Sequence, residues 1–222
     1  MIGHKWINES KILGRSFHVD VFESKTTPIG IVLWFGGSAM TKPRYKKREK
    51  MVVPIFDKVW HRLGQDLPLI FALISGPYDI NILRFSESNL DKNKWNQHVE
   101  KEILGNWPDL PVYLIGNSAG GALAFNGVHK IDRVVGAGGI GADQIPKDFQ
   151  IPLRKNGQPE WILSLYYNYN DPVYSINKAI VKKLIRTGLA TCDRFGGQHE
   201  TIYYLENRSF DDLIYKALKS FK

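Results

Sequence analysis

The sequence predicts an α/β protein in three layers, with a central, mostly parallel sheet flanked by helices. Short β-rich apolar runs alternate with longer helical patterns along the 222 residues, which is the signature of such a sheet. Hydrophobic residues at 43%, charged residues at 23% and aromatics at 12% sit near globular averages and exclude a disordered, collagenous or coiled-coil chain. Eleven of the 20 glycines fall in four clusters, at 36/37, 116/120/121, 136/138/139/141 and 196/197, where constrained backbone is expected rather than loose linker. No repeat, low-complexity tract or linker interrupts the chain, so residues 1–222 read as one domain.

Phe17 to Glu23 and Ile29 to Phe35 are the first two strands. The five residues between them suit a hairpin, which makes this part of the sheet antiparallel. Pro54 opens a helix with Ile55, Val59 and Leu63 on one face, since a first turn needs no N–H from proline. Leu67 to Ile74 is apolar throughout, as a strand covered on both faces must be. Ser88 and Asp91 are cap candidates for a helix carrying Trp95, Val99 and Ile103 at four-residue spacing. Val112 to Ile115 is the central strand, followed by a small-residue helix from Ala119 to Val128. Val134 to Ala137 forms the next strand and leads into a glycine turn at 136–141. Asp143 to Glu160 is polar and too short for a lid domain. Strands at Ile162 to Tyr167 and Leu189 to Cys192 bracket a helix carrying Ile176, Ile180 and Leu184. The last helix starts near Phe210, with Ser209 and Asp212 as a capping box.

Thirty Lys and Arg against 22 Asp and Glu give a net charge of +8. Lys42, Arg44, Lys46, Lys47, Arg48 and Lys50 hold much of that excess within nine positions, the length of a solvated helix face or loop. No groove-reading motif accompanies them, so no nucleic-acid partner is expected. Met1 to Trp6 has no apolar signal core, and Leu67 to Ile74 is far too short to span a bilayer, so a cytoplasmic protein without membrane insertion is expected. The one cysteine, Cys192, excludes an intrachain disulfide and a four-cysteine zinc site.

Gly116-Asn117-Ser118-Ala119-Gly120-Gly121 follows the central strand and precedes a helix, so it is G-x-S-x-G in strand–turn–helix context. Such a turn strains its serine and lifts the hydroxyl to a helix N-terminus, where backbone amides favour developing negative charge. A serine hydroxyl needs a base, and the base needs an orienting partner. Of the six histidines, His199 is the one in a glycine-flanked loop after the last strand, in Gly196-Gly197-Gln198-His199-Glu200. Asp171, in Asn170-Asp171-Pro172-Val173, is the favoured acid, because the chain order then reads Ser118, Asp171, His199. It doubles as a candidate helix cap, and Asp143 is the rival acid. Gly36-Gly37-Ser38 comes off the second strand, so the Gly37 amide, with Ser38 next in line, and the Ala119 amide are the candidate oxyanion donors. Tyr78, Trp161, Tyr169 and Tyr174 can line a pocket or serve as ordinary core and rim residues.

With Phe35-Gly36-Gly37, the Gly116 to Gly121 elbow, Asp171-Pro172-Val173 and the Gly-Gly-Gln-His-Glu loop, nearly the whole chain resembles a compact α/β-hydrolase without a cap domain. Phe35 stands where members often carry histidine. The resemblance implies a serine hydrolase cleaving a small-molecule ester or thioester, with neither metal nor organic cofactor. The alternative is a catalytically silent α/β-hydrolase fold that binds or scaffolds.

Overall fold

Side chains alternate across a strand, so one sheet serves two cores. The structure, a computed structural model, describes residues 2–10, 15–37, 61–63, 67–75, 89–143, 145–146, 149–199 and 208–222. Among these, eight strands form one sheet: β1 (Ile2–Ser10), β2 (Arg15–Glu23), β3 (Gly30–Phe35), β4 (Leu69–Ser75), β5 (Val112–Asn117), β6 (Val134–Ile140), β7 (Leu163–Asn168) and β8 (Ala190–Phe195). Their order is β1-β2-β4-β3-β5-β6-β7-β8. From β4 to the β8 edge every pairing is parallel, whereas β1–β2 and β2–β4 are antiparallel.

The helices α1 (Asn89–His98), α2 (Gly120–Gly127), α3 (Pro172–Arg186) and α4 (Ser209–Ser220) cover the faces. Ile31, Leu33 and Phe35 of β3 share a core with Trp95 of α1, Leu123 and Phe125 of α2, and Val181 and Leu184 of α3. Val32 and Trp34, one step along the same strand, face Phe210, Leu213 and Ile214 of α4. Phe210 meets Trp34 and Phe71 edge to face at 5.2 and 5.5 Å, contacts that each add about 1 kcal/mol beyond area burial. Three layers result, as predicted. Among the described residues no helix is long and apolar enough to cross a membrane.

Several expectations need correction. β2 and β3 do not form a hairpin, because β4 lies between them, antiparallel to β2 and parallel to β3. Leu69 to Ile74 is buried at every position, and such a strand belongs inside the sheet with a partner on each side. β1 carries no clear strand signal in its letters because it is an edge strand, where polar residues are tolerated and strict alternation is not required. The glycines at 136–140 are strand interior, not turn. A Cβ on Gly138 would sit 2.3 Å from Leu213 Cδ2, so these glycines let α4 approach β6 closely. Ser209 and Asp212 do not cap α4: Arg208 occupies the cap position at φ 63°, with no side-chain cap bond. Asp212 instead accepts from the Tyr166 hydroxyl and pairs with Lys216 at 2.9 Å, a tertiary demand that overrides the local pattern. Ile176 is 70% exposed, and the buried face of α3 runs through Val173, Asn177, Val181 and Leu184. Trp95, Val99 and Ile103 are all buried, but a π-helical turn at Val99–Ile103 takes over where α1 ends. Of the helix expected from Pro54 only His61 to Leu63 are described, and they are helical. Its first part, Ser88, Tyr78 and the basic run at 42–50 lie outside the described residues.

Candidate active site

Ser118 follows β5 directly and has φ 51°, a left-handed conformation that costs a non-glycine residue of order 1–3 kcal/mol. Its surroundings hold it there. The Ser118 N–H donates to the Ile140 carbonyl at 3.2 Å, and its own carbonyl accepts from Gly121 and Asp143, each at 2.8 Å. The buried Asn117 side chain also donates to the Ile140 carbonyl, at 3.0 Å. Each glycine of the motif marks a close approach. A Cβ on Gly116 would lie 2.4 Å from Gly121 Cα, and one on Gly120 would lie 2.2 Å from the Phe35 carbonyl oxygen. A Cβ on Gly121 would press on Ala142 at 2.7 Å. The turn therefore packs between the ends of β3 and β6, with α2 starting two residues after the serine.

The Ser118 hydroxyl meets His199 Nε2 at 2.8 Å. On the other side of the ring, His199 Nδ1 lies 2.8 and 2.9 Å from the two Asp171 carboxylate oxygens. A carboxylate only accepts, so Nδ1 carries the proton and Nε2 is left to accept from the serine. The Asp171 side chain is fully buried, while that of His199 is 30% exposed. Asp171 also caps α3, its Oδ1 accepting from the Val173 N–H at 2.8 Å. The carboxylate that caps α3 and the one that meets His199 thus belong to a single side chain. Asp143, the rival, lends its N–H to the serine carbonyl, and the ring of His199 turns to Asp171.

Gly37 packs against the serine: a Cβ there would lie 2.8 Å from Ser118 Cβ and 3.4 Å from its Oγ. Among the described residues neither the Gly37 nor the Ala119 amide is donated to an acceptor. Ser38 lies outside the described residues.

No family model matches the sequence, and no curated protein does at the sequence level. Solved structures do match in shape. An enterochelin esterase from Shigella flexneri superposes with a TM-score of 0.68 at 16% identity, over 96% of this chain and 58% of its own. This chain therefore spans less than two thirds of that esterase. An S-formylglutathione hydrolase from Staphylococcus aureus superposes with a TM-score of 0.61 at 12% identity, over 99% of this chain and 95% of its own. A serine hydrolase without a lid from Xanthomonas campestris gives 0.60 at 12% identity, over 99% and 93%.

The chain has the α/β-hydrolase fold. Within this α/β-hydrolase fold Ser118, Asp171 and His199 all follow the carboxyl ends of parallel strands, β5, β7 and β8. Trp161 does not belong with them. It precedes β7 and, with Tyr113, Ser164, Lys216 and Lys219, lines a cleft of about 450 Å³ at the opposite edge of the sheet. Tyr169 and Tyr174 flank the Arg194 guanidinium, 4.9 and 4.2 Å from the ring centres, and Arg194 donates to the Tyr169 carbonyl at 2.9 Å. Among the described residues no group of three His, Cys, Asp or Glu is arranged to hold a metal ion. Burial pushes the Cys192 thiol up to about 11, which keeps it protonated and unreactive near neutral pH.

Asn168, the last residue of β7, is no sequence-predicted site residue, yet it is fully buried and donates its side-chain amide to the Gln198 carbonyl beside His199. In Asn168-Tyr169-Asn170-Asp171 both asparagines read as turn formers, and nothing in the letters separates the buried one from the exposed one.

Proposed function

We propose that the protein is a serine hydrolase that cleaves a small-molecule carboxylic ester or thioester through an acyl-enzyme. Ser118 is the nucleophile, His199 the base and then the acid, and Asp171 the group that orients His199. The Ser118 Oγ attacks the carbonyl carbon while its proton passes to His199 Nε2. The tetrahedral oxyanion is held by the amides of Gly37 and Ala119, with Ser38 next in line, each such donor being worth about a hundredfold or more in turnover. Collapse breaks the bond to the leaving oxygen or sulfur, which takes the proton from His199 and departs. Water, deprotonated by His199, then attacks the acyl-serine and returns the enzyme to its starting state. No step calls for a metal or an organic cofactor.

One observation carries the reading: an unbroken hydrogen-bonded line from the Ser118 hydroxyl through both nitrogens of His199 to a buried carboxylate. Neighbours in shape that bear the names of esterases and of an S-formylglutathione hydrolase support the ester and thioester choice. The same reading takes residues 1–222 as a single domain, since both cores share one sheet. It also puts the protein in the cytoplasm, a reducing compartment that suits its single cysteine.

A fluorophosphonate probe tests it. The expected outcome is labelling of wild type and none of Ser118→Ala, with turnover of short p-nitrophenyl esters or thioesters. Equal labelling of the two proteins removes Ser118 as nucleophile. An intact fold with neither labelling nor turnover makes the chain a silent binding protein.

A further inference from the structure

We propose that Asn168 is a positioning residue that ties the histidine loop to the acid loop and so sets the Ser118–His199 distance; its effect on turnover rests on the acyl-transfer reading above. Asn168 ends β7 and has no exposed surface. Its backbone carbonyl accepts from the Asp171 N–H at 3.1 Å, which closes the turn that presents the acid. Its side-chain amide donates to the carbonyl of Gln198, the residue before His199. One residue therefore holds both neighbours of the imidazole.

The loop needs such a tether. Gly196 has open space around it, Gly197 has φ 128°, and Gln198 is exposed. Among the described residues no other hydrogen bond holds 196–198. Two glycines followed by an exposed glutamine give a segment with little packing of its own, and histidine placement then depends on the bonds that anchor the backbone. A misplacement of about 1 Å at a catalytic group can cost about a hundredfold in rate. An asparagine is suited to the task because its NH₂ donates without adding charge beside the Asp171 carboxylate.

Two variants test this. Asn168→Asp keeps the shape and replaces the donor by an acceptor, and Asn168→Ala removes the group. Both are expected to lower kcat by about 10- to 100-fold with KM within about twofold, and to slow fluorophosphonate labelling equally. Imidazole ¹⁵N spectra of His199 are expected to lose the dominance of the Nδ1-protonated tautomer. Leu213→Ala, a core change on α4 remote from the loop, is expected to lower the melting temperature at least as much while leaving kcat and the His199 spectrum unchanged. Unchanged kcat and spectra in both Asn168 variants overturn the proposal, as does a loss no larger than that of Leu213→Ala. If wild type itself fails to react at Ser118, the hydrolase reading falls, and the ¹⁵N spectra still decide whether Asn168 positions His199.

Discussion

Ser118 keeps its left-handed backbone because glycines clear the space around it and three main-chain bonds lock it. The clearance differs in kind from site to site. Gly120 faces the backbone oxygens of Phe35 and Gly36, at 2.2 and 2.6 Å from an added Cβ, and backbone cannot yield cheaply. Gly120→Ala is thus expected to cost about 3 kcal/mol or more in denaturant unfolding. Gly196, with nothing within 4 Å, is expected to accept alanine within about 0.5 kcal/mol in the same assay. Substitution separates the observed helix cap at Asp171 from the role of triad acid proposed for it. Asp171→Asn keeps an oxygen for the Val173 N–H, so the melting temperature is expected to hold while kcat falls by roughly 10³- to 10⁴-fold. Asp171→Ala is expected to lose a further ~1 kcal/mol of helix cap. Serine, aspartate and histidine were legible as candidates because residue type, loop position and chain order each restrict the choice. Asn168 was not, since burial of an amide is a property of the assembled sheet.

At the scale of elements, α4 and β6 illustrate fit between partners distant in sequence. Leu213 is fully buried over Gly138, and the aromatic contacts of Phe210 lie one turn before it. Leu213→Ala is expected to destabilise by about 2–5 kcal/mol, measured by denaturant unfolding, since the space it leaves cannot collapse onto a sheet without side chains at Gly138. Elements with strong local signals, such as the apolar β4 and the strand–turn–helix around Ser118, were readable from the letters. Strand pairing was not: the short connection after β2 reads as a hairpin, yet its ends bond to Pro68 and Leu69 at the entry to β4. Which strand fills the gap beside β2 is decided by where a doubly apolar strand can be buried, a long-range demand that a five-residue loop does not record. The α4 cap failed for the same reason, Asp212 being claimed by Tyr166 and Lys216.

For the whole molecule, two cores on one sheet imply that neither melts alone, so we propose that residues 1–222 unfold in one transition. Far- and near-ultraviolet circular dichroism are expected to report coincident curves, and two separated transitions would refute the single domain. Stability should also depend on pH through His98, whose imidazole burial holds below its ordinary value of 6.5. The unfolded chain then binds a proton that the fold resists, so stability declines as pH falls below about 6.5 and levels off once the folded imidazole protonates. His98→Gln is expected to flatten that decline in melting temperature between pH 7 and 5. The layered architecture was visible in the alternation of apolar runs, whereas the eight-strand order emerged only from the pairing of distant segments. The relay at the carboxyl edge remains the central claim, and pre-steady-state release of p-nitrophenol from an activated ester tests it most directly. A burst of one equivalent per chain, absent in Ser118→Ala and followed by slower turnover, is the expected result; product release without any dependence on Ser118 would contradict it.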